Sequence, residues 1–465
     1  MHLFVHYIYR RERAVKENIN MKRTFAFAAA AMSVAFAFAG GVENKTNMST
    51  GYLRNPSRNA EFQRPEAAFY NIAGTAFLQD GLWIEAGNQF VFKEYKHEIQ
   101  IDDATTQAAF DNLHIDTSSS DKTTVWLYPD FDAVYHKGDF AVFMNFGIYA
   151  GGGTLNYDDG SSAISGLFLK KAAGLATNPP AGMPAQQIQA LGAGLQGGAA
   201  DHSLKVDSIT YGGELGGSYK FLDGMISVGA AFRMVYGTQS MELTSSNSNF
   251  KTANGGDTIG YDAKATGFGG VFGVHARPID KLDLSVQYST INKIKYKVDN
   301  VDGNFAKEMG IEDGKKFNTD LPATLSFGAS YSVIDPLLLS FSCNYYFNKQ
   351  SKMNSVLGET DYDNSIEFAL GADYRINEMF STSLGFSYSK QGTNDESNSL
   401  FAPVLDSFCI GGGVEVTPIE NLTLTAAGMW VNYFDNDDYV MSGKSFNLSK
   451  DLFMASLGVT YRLPF

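Results

Sequence analysis

The residues that most often carry out chemistry in proteins, histidine and cysteine, are sparse in this chain. Its 465 residues include seven histidines and two cysteines. The histidines of the interior fall on separate segments: His97, His114, His136, His202 and His275. The sequence gives no indication that a serine, a histidine and an acid lie close together, as nucleophilic catalysis would require. The cysteines and histidines also lack the spacing of a zinc site. We therefore predict no catalytic residues, no metal and no cofactor.

Two further patterns resemble ligand sites without meeting their requirements. Residues 192–197 match G-x-G-x-x-G, but no strand precedes them and no βαβ unit surrounds them, which argues against a nucleotide. The acidic stretches 299–303 and 435–438 lack the spacing of an EF-hand and are interpreted as solvated loops. A formal charge of -14 argues against a nucleic-acid partner, because binding the phosphate backbone needs a basic face.

Alternation of apolar and polar residues dominates the rest of the sequence. In residues 380–389, Phe380, Leu384 and Phe386 alternate with serine and glycine, and residues 337–348 and 282–289 repeat the pattern. These runs are about ten residues long with a polar face of Ser, Gly, Thr and Asn, which is typical of transmembrane barrel strands. A soluble all-β sandwich, with shorter strands and a more charged outer face, is the alternative.

The count and spacing of these segments predict the architecture. Fourteen alternating segments are joined by six short turns and seven longer polar loops, and the last segment ends at Phe465. Short turns on one side and long loops on the other are the layout of outer-membrane proteins with both termini in the periplasm. We predict an all-β fold, a 14-stranded antiparallel transmembrane β-barrel over residues 82–465.

The N-terminus carries a predicted export signal. Met21 is followed by two basic residues, residues 24–36 are rich in Ala and Phe, and Ala37 and Ala39 give a small-x-small cleavage pattern. We interpret residues 1–39 as an N-terminal extension plus a signal peptide cleaved after Ala39, with residues 1–20 ahead of a start at Met21. A membrane helix is the alternative, although about 20 apolar residues are needed to span a bilayer.

Residues 40–81, between this signal and the first strand, resemble the N-terminal plug, or hatch, of FadL-like outer-membrane transporters. Residues 55–60 read Asn-Pro-Ser-Arg-Asn-Ala, and residues 69–76 read Phe-Tyr-Asn-Ile-Ala-Gly-Thr-Ala. The chain departs from the family pattern at Ile72, where the family has proline. The predicted hatch-motif residues are Asn55, Pro56, Asn59, Phe69, Tyr70, Asn71, Ala73 and Gly74.

The resemblance implies a hatch inside the lumen and uptake of long-chain fatty acids or other hydrophobic small molecules. It also implies capture in an apolar pocket and lateral release beside a kink in the third strand, for which the candidates are Gly147, Gly151, Gly152 and Gly153. An ordinary glycine-rich strand end is the alternative. We expect a monomer in the outer membrane of a Gram-negative bacterium, in contact with its lipid and with no nucleic acid.

A fatty-acid carboxylate would be bound by a cation facing the lumen. Strand parity places Arg233 inward, between outward Phe232 and Met234, and Lys264 can face inward on the adjoining strand. The alternative is a lumen salt bridge with acids such as Glu214. A helical pattern within loop 152–203 suggests a capture groove outside the barrel, with simple loop packing as the alternative. A diffusion porin and an outer-membrane enzyme are the competing functions.

Overall fold

The computed structural model describes residues 47–356, 361–393, 398, 400–441 and 444–465. The predicted signal peptide and the beginning of the predicted hatch lie outside these residues.

Eighteen strand segments form one antiparallel sheet. The first nine are β1 (Gly81–Gln100), β2 (Ser118–Asp121), β3 (Thr124–Lys137), β4 (Phe140–Tyr157), β5 (Ser203–Phe221), β6 (Ile226–Thr244), β7 (Thr258–Ile279), β8 (Leu282–Ser289) and β9 (Lys295–Asp302). The others are β10 (Lys316–Asn318), β11 (Thr324–Ile334), β12 (Leu337–Tyr346), β13 (Ser365–Arg375), β14 (Phe380–Lys390), β15 (Ser407–Ile419), β16 (Leu422–Tyr433), β17 (Asn436–Met441) and β18 (Lys444–Leu463).

These segments make fourteen barrel strands, which confirms the predicted fold. β2 and β3 both pair with β1, and β16 and β17 both pair with β18, so each couple forms one interrupted strand. Likewise β8 and β9 face β11 and β10. β1 pairs with β18 from Leu82↔Leu463 to Gln100↔Ser445, and this seam closes the cylinder.

Short helices occupy the hatch and the connections. Those of the hatch are α1 (Thr50–Arg54), α2 (Ala67–Tyr70) and a 3₁₀ helix (Ile72–Phe77). Those of the connections are α3 (Ala104–Leu113), α4 (Ser162–Thr177), α5 (Ala185–Ala200), α6 (Ser248–Asn254), α7 (Asn304–Glu308) and a 3₁₀ turn (Asn348–Gln350). None of the helices in the described part of the chain is long and apolar enough to cross a membrane.

Side-chain capping explains where the connection helices begin. Asp103 precedes α3 and its side chain accepts a hydrogen bond from the Thr106 amide, and Ser161 does the same for Ile164 at the start of α4. Such caps satisfy amides that have no partner within the helix. These helices lie at the end of the barrel opposite the short turns and cover that mouth.

The outer surface of the barrel is apolar. On β6, Phe232 and Met234 are 56% and 47% exposed, whereas Arg233 between them is 8% exposed. A soluble protein rarely exposes large apolar patches, whereas a barrel in lipid requires them. Exposed aromatic residues also gather within a few positions of the short turns: Tyr135, Phe140, Tyr219, Phe221, Tyr331, Tyr374, Phe380 and Tyr461. This is the aromatic girdle expected at a membrane interface.

The hatch fills the lumen because the wall has glycines where the hatch touches it. A Cβ at Gly328 would lie 2.4 Å from the carbonyl carbon of Asn59, and one at Gly371 would lie 1.8 Å from Asn55 Oδ1. The side-chain Nδ2 of Asn59 donates to the backbone carbonyls of Phe327 (3.0 Å) and Cys343 (3.3 Å). The contacts with β11 and β12 are therefore backbone-close, which a side chain at Gly328 would prevent.

Buried arginines hold the hatch to β13 and β15. Arg54 Nη1 lies 3.0 Å from Asp373 and 3.3 Å from Glu415. Arg58 lies 2.9 Å from Glu61 and 3.5 Å from Asp373, and its Nε donates to the carbonyl of Gly51. Burial opposes the charge of Arg58, but the surrounding carboxylates raise the pKa of its guanidinium above the ordinary value. Arg58 is therefore charged at every physiological pH.

Replacing Arg58 with Met tests this anchor. The variant leaves two hatch carboxylates and Asp373 without one of their cations, and removal of one partner of a buried pair costs about 3–5 kcal/mol. We expect the hatch to loosen and ion conductance through planar bilayers to rise above that of the wild type. Lys122→Met is the control, because Lys122 pairs with Glu94 at the surface and such pairs contribute about 1 kcal/mol or less. Equal conductance of the two variants would contradict the anchor.

Candidate functional site

Two cavities lie in the lumen against the hatch. The larger cavity contains about 830 Å³ of empty space and is bounded by Tyr52 of the hatch and by β1, β15, β16 and β18. The smaller cavity contains about 600 Å³ and is bounded by Phe69 and Tyr70 of the hatch and by β11 and β12.

The larger cavity combines an apolar wall with the buried Lys93, and a second buried lysine, Lys450, packs against the cavity residues Tyr95 and Tyr433. Its apolar lining includes Val91, Met429, Val431, Leu452 and Met454. Lys93 Nζ lies 5.0 Å from the ring centroid of Tyr95, and Lys450 Nζ lies 4.5 Å from the centroids of Tyr95 and Tyr433.

Their polar partners are on the wall and in a loop. Lys93 Nζ donates to the carbonyl of Thr154 at 2.6 Å and lies 3.7 Å from Asp121, and Lys450 Nζ donates to the carbonyl of Pro403 at 3.5 Å. Two lysine amino groups thus flank one aromatic ring at the edge of an apolar space. This arrangement suits a molecule with an anionic head and an apolar body.

Sequence reasoning missed both lysines. Lys450 is the direct cross-strand partner of Tyr95 in the seam between β1 and β18, a juxtaposition that needs the register of barrel closure. Lys93 has a signal in the sequence, because it shares its parity with Val91 and Tyr95. That signal is ambiguous, since Glu94 and Lys96 place charges on the other face of the same strand.

Arg233 lines the smaller cavity and is already paired. Its Nη2 lies 2.7 Å from Glu214 Oε1 and donates to Ser289 Oγ at 3.1 Å. Tyr149 donates to the same Glu214 oxygen at 3.0 Å, and its ring lies 5.2 Å from the guanidinium of Arg233. The structure therefore contains the lumen salt bridge that was the alternative to a ligand role for this arginine.

The inward orientation predicted for Lys264 is wrong. Lys264 is exposed, as are Thr266 and Phe268, whereas Ala263 and Ala265 on the same strand are buried. Because side chains alternate along a strand, residues of the parity of Phe268 point out of the barrel. Lys264 faces Lys297 of β9 on the outer surface, away from both cavities.

The second hatch motif makes backbone contacts with the wall. Asn71 accepts a hydrogen bond from the Gly74 amide (3.2 Å) and donates to the carbonyl of Glu61 (2.9 Å), which fixes the start of the 3₁₀ helix. The amide of Ile72 donates to Gln287 Oε1 at 2.9 Å. Proline has no amide hydrogen, so the departure at Ile72 supplies one contact with β8. The carbonyl of Ala73 accepts from Ser227 at 2.6 Å.

The other motif residues lie along the opposite wall and under the smaller cavity. Asn55 Nδ2 donates to Asp373 at 2.9 Å, and Pro56 lies so near β14 that a Cβ at Gly385 would be 2.5 Å from its Cδ. Phe69 meets Tyr149 edge to face with ring centroids 5.5 Å apart. Tyr70 stacks on Tyr52 at 6.2 Å and accepts a hydrogen bond from the amide of Met48 at 2.8 Å.

The wall is interrupted beside the glycines of β4. The ladder between β3 and β4 runs from Lys137↔Phe140 to Phe131↔Phe146 and stops there. From Gly147 onward β4 loses its alternation, with five consecutive buried residues, and its register with β5 shifts twice before Gly153.

The backbone bends here through positive φ angles of 88° at Gly151 and 81° at Gly153, which glycine adopts without strain. Gly151 and Gly152 line the larger cavity. Across the interruption, Trp126 and Leu127 of β3 are 66% and 71% exposed. An apolar cavity therefore lies next to an unpaired stretch of the barrel wall.

A closed antiparallel cylinder with an apolar belt and its own N-terminal segment in the lumen is an integral outer-membrane barrel of the plugged class. The family model for outer membrane protein transport proteins (OMPP1/FadL/TodX) matches residues 170–463. The chain belongs to this family, which transports hydrophobic compounds across the outer membrane of Gram-negative bacteria and is a family of transporters rather than of enzymes.

Solved structures agree with this fold at low sequence identity. The chain is similar to a FadL homologue of Pseudomonas aeruginosa (TM-score 0.63, 16% identity, 91% of this chain and 99% of that one). It is also similar to the toluene transporters TodX of Pseudomonas putida (0.57, 14%, 86% and 94%) and TbuX of Ralstonia pickettii (0.54, 14%, 88% and 98%). No curated protein sequence matches the chain.

Proposed function

We propose that the protein takes up amphiphilic hydrophobic molecules with an anionic head, of which long-chain fatty acids are the simplest. The observation that carries this proposal is the larger cavity, where Lys93 and Lys450 flank Tyr95 beside an apolar wall. The carboxylate would lie beside the Tyr95 ring, near the amino groups of Lys93 and Lys450, and the chain along Met429, Met454 and their neighbours. The resemblance of the hatch motifs to those of FadL-like transporters supports the same cargo class.

The driving force for capture is burial of the hydrocarbon. Each CH₂ removed from water contributes about 0.8 kcal/mol, so a C16 chain gains on the order of 10 kcal/mol in a dry cavity. A water-filled pore offers none of this. The general diffusion porin is therefore disfavoured by a lumen that contains the hatch, and by Phe401, which is fully buried at the covered mouth and accepts a hydrogen bond from Tyr157.

A groove outside the barrel supports a first capture step. It holds about 1170 Å³ of empty space between α3, α4 and β18, and its lining includes Ile99, Ala109, Leu167, Leu169 and Phe446. Lys170 and Lys444 belong to the same groove. We infer that cargo first enters this apolar groove with its head near the lysines, which is the role predicted for loop 152–203.

Lateral release through the interruption between β3 and β4 completes the proposed route. Cargo in the larger cavity already touches Gly151 and Gly152, and the outer side of the interruption is flanked by exposed Trp126 and Leu127. An apolar molecule that leaves sideways passes directly into lipid and avoids the polar contacts of the hatch. This exit needs no displacement of the arginine anchors.

Uptake by intact cells tests the function as a whole. Cells that lack other transporters of this family and express the protein should accumulate radiolabelled oleate faster than cells with an empty vector. Toluene accumulation should rise less, because toluene has no anionic head for the lysines. A large increase for toluene alone would contradict the proposed cargo class.

Binding to purified protein tests the lysine site. Lys450→Met should weaken oleate binding about tenfold or more, because a hydrogen bond to a charged group contributes about 1.5–3 kcal/mol. Binding of oleyl alcohol should change less than about twofold. The predicted carboxylate role of Arg233 is tested by Arg233→Met, for which we expect a smaller loss because Glu214 already neutralises that charge.

Lys264→Met is the matched control for both lumen variants, since Lys264 lies outside the barrel. Its oleate affinity should equal that of the wild type. A loss of affinity for oleate and oleyl alcohol alike in Lys450→Met would show that the lysine supports folding rather than the carboxylate, and would contradict the proposed site.

Blocking the interruption tests lateral release. Gly152 has space for a side chain, because a Cβ there would meet only Tyr95 Oη, at 3.9 Å. Gly152→Phe should slow oleate uptake by cells several-fold with little effect on folding. Gly192→Phe on α5 is the control, since nothing lies within 4 Å of a Cβ at that position, and it should transport normally. Normal uptake by Gly152→Phe would contradict the lateral route.

A further inference from the structure

Two neighbouring strands place three acids side by side on the lumen face. Glu85 of β1 is the direct cross-strand partner of Asp132 of β3, and Gly87 is the partner of Asp130. All three acids are buried, with exposures of 7%, 0% and 3% for Glu85, Asp132 and Asp130. Like charges directly opposite each other destabilise a sheet. The pair is therefore unfavourable unless something compensates it.

The surroundings supply only neutral donors: Thr460 donates to Glu85 Oε2 at 2.8 Å and Asn145 donates to Asp132 Oδ1 at 2.9 Å. In the described part of the chain, no lysine, arginine or histidine nitrogen lies within 4.0 Å of these carboxylates, whereas arginines meet Glu61, Asp373 and Glu415 across the lumen. Neither oxygen of Asp130 has a hydrogen-bond partner among the described residues, nor has Asp132 Oδ2. Buried polar groups are almost always hydrogen-bonded or bound to an ion.

The oxygens converge on one point. One oxygen from each carboxylate lies within 4.8 Å of the corresponding oxygens of the other two. An ion at 2.3–2.6 Å from its ligands, the range for Ca²⁺, can bridge oxygens up to about 4.6–5.2 Å apart, so this spacing allows one ion to contact all three carboxylates. Carboxylate oxygens are the preferred ligands of such hard cations.

The hatch contributes to the same place. A Cβ at Gly87 would lie 2.4 Å from Asp130 Oδ2 and 2.7 Å from Thr50 Oγ1, so these two oxygens share the space that the glycine leaves. The Thr50 hydroxyl is buried and also has no hydrogen-bond partner among the described residues. A fourth oxygen, from the hatch, therefore lies beside the carboxylate of Asp130.

We propose that Glu85, Asp130 and Asp132 bind a divalent cation of the Ca²⁺ type, with Thr50 beside it. The site lies at the foot of the wall interruption, because Asp132 is the partner of Asn145 and the ladder between β3 and β4 ends one residue further on. Asn145 donates to Asp132 Oδ1 at 2.9 Å, which leaves Oδ2 for the ion. The cation joins β1, β3 and the hatch where β3 loses its pairing with β4.

Calcium titration of the purified full-length protein tests the proposal. After EDTA treatment and buffer exchange, isothermal titration with CaCl₂ should show one site, and Ca²⁺ should raise the midpoint of thermal unfolding. Asp130→Asn, which keeps the side-chain shape, should weaken Ca²⁺ binding at least about tenfold. Mg²⁺ should compete less well than Ca²⁺, because Mg²⁺ demands near-octahedral geometry and loses its water reluctantly.

Asp283→Asn is the matched control, since Asp283 is a buried lumen acid that lies 2.8 Å from Arg277, and it should bind Ca²⁺ as the wild type does. If Asp130→Asn does not fold, the test uses Ca²⁺ binding by Glu85→Gln and the effect of EDTA on the thermal unfolding of the wild type. No Ca²⁺ binding and no effect of EDTA on the wild type would overturn the proposal, as would equal binding by Asp130→Asn and Asp283→Asn. None of these measurements depends on the identity of the cargo.

Discussion

The structure depends on the requirement that no backbone amide or carbonyl remain unpaired in lipid. A sheet meets this requirement only when its first and last strands join, and here β1 and β18 pair along almost their whole length. Closure fixes which face of each strand meets lipid and which meets the lumen. The apolar belt, the polar lumen and the space for the hatch all follow from it. The interruption between β3 and β4 is the place where this rule is relaxed, and the cavity lies beside it.

The lumen is organised by charge as much as by shape. On one side, arginines of the hatch form ion pairs with acids of β13 and β15, and these pairs hold the hatch to the wall directly. On the other side, the acids of β1 and β3 have no such partner. Between them lie the aromatic contacts of Phe69, Tyr70 and Tyr149 and the two cavities. The hatch is therefore held by ion pairs on the side of β13 and β15 and lies beside unpaired acids on the side of the wall interruption.

The fold could be predicted from sequence because lipid on one side and water on the other impose strict alternation. The predicted number of strands is correct even where a strand is interrupted, because β9 and β17 continue strands that begin within the membrane. The alternation of apolar and polar residues ends where strands extend beyond the bilayer. On β1 the outward positions Glu94 and Lys96 are charged, so the sequence does not show that Lys93 faces inward.

Other parts of the site depend on register, which a single sequence does not contain. Lys450 meets Tyr95 across the seam, and Glu85 meets Asp132 across a hairpin with a long connection. The error at Lys264 has a different origin, because counting from the outward Phe268 gives its correct side. Predicting the direction of a side chain from alternation requires a residue of known direction on the same strand. Phe232 and Met234 provide this reference for Arg233.

The seam also constrains the order of biogenesis. It joins residues near position 90 to residues near position 455, so the pairing that completes the wall has the longest sequence separation of the strand pairings among the described residues, and its closure is correspondingly unfavourable in entropy. The hatch contacts strands from both halves of the cylinder and is enclosed by them. Its complete set of contacts, through α1 with β15, β16 and β18 and through the 3₁₀ helix with β5, β6 and β7, therefore becomes available only when both halves of the sheet are in place, which makes the locking of the plug a late step of assembly.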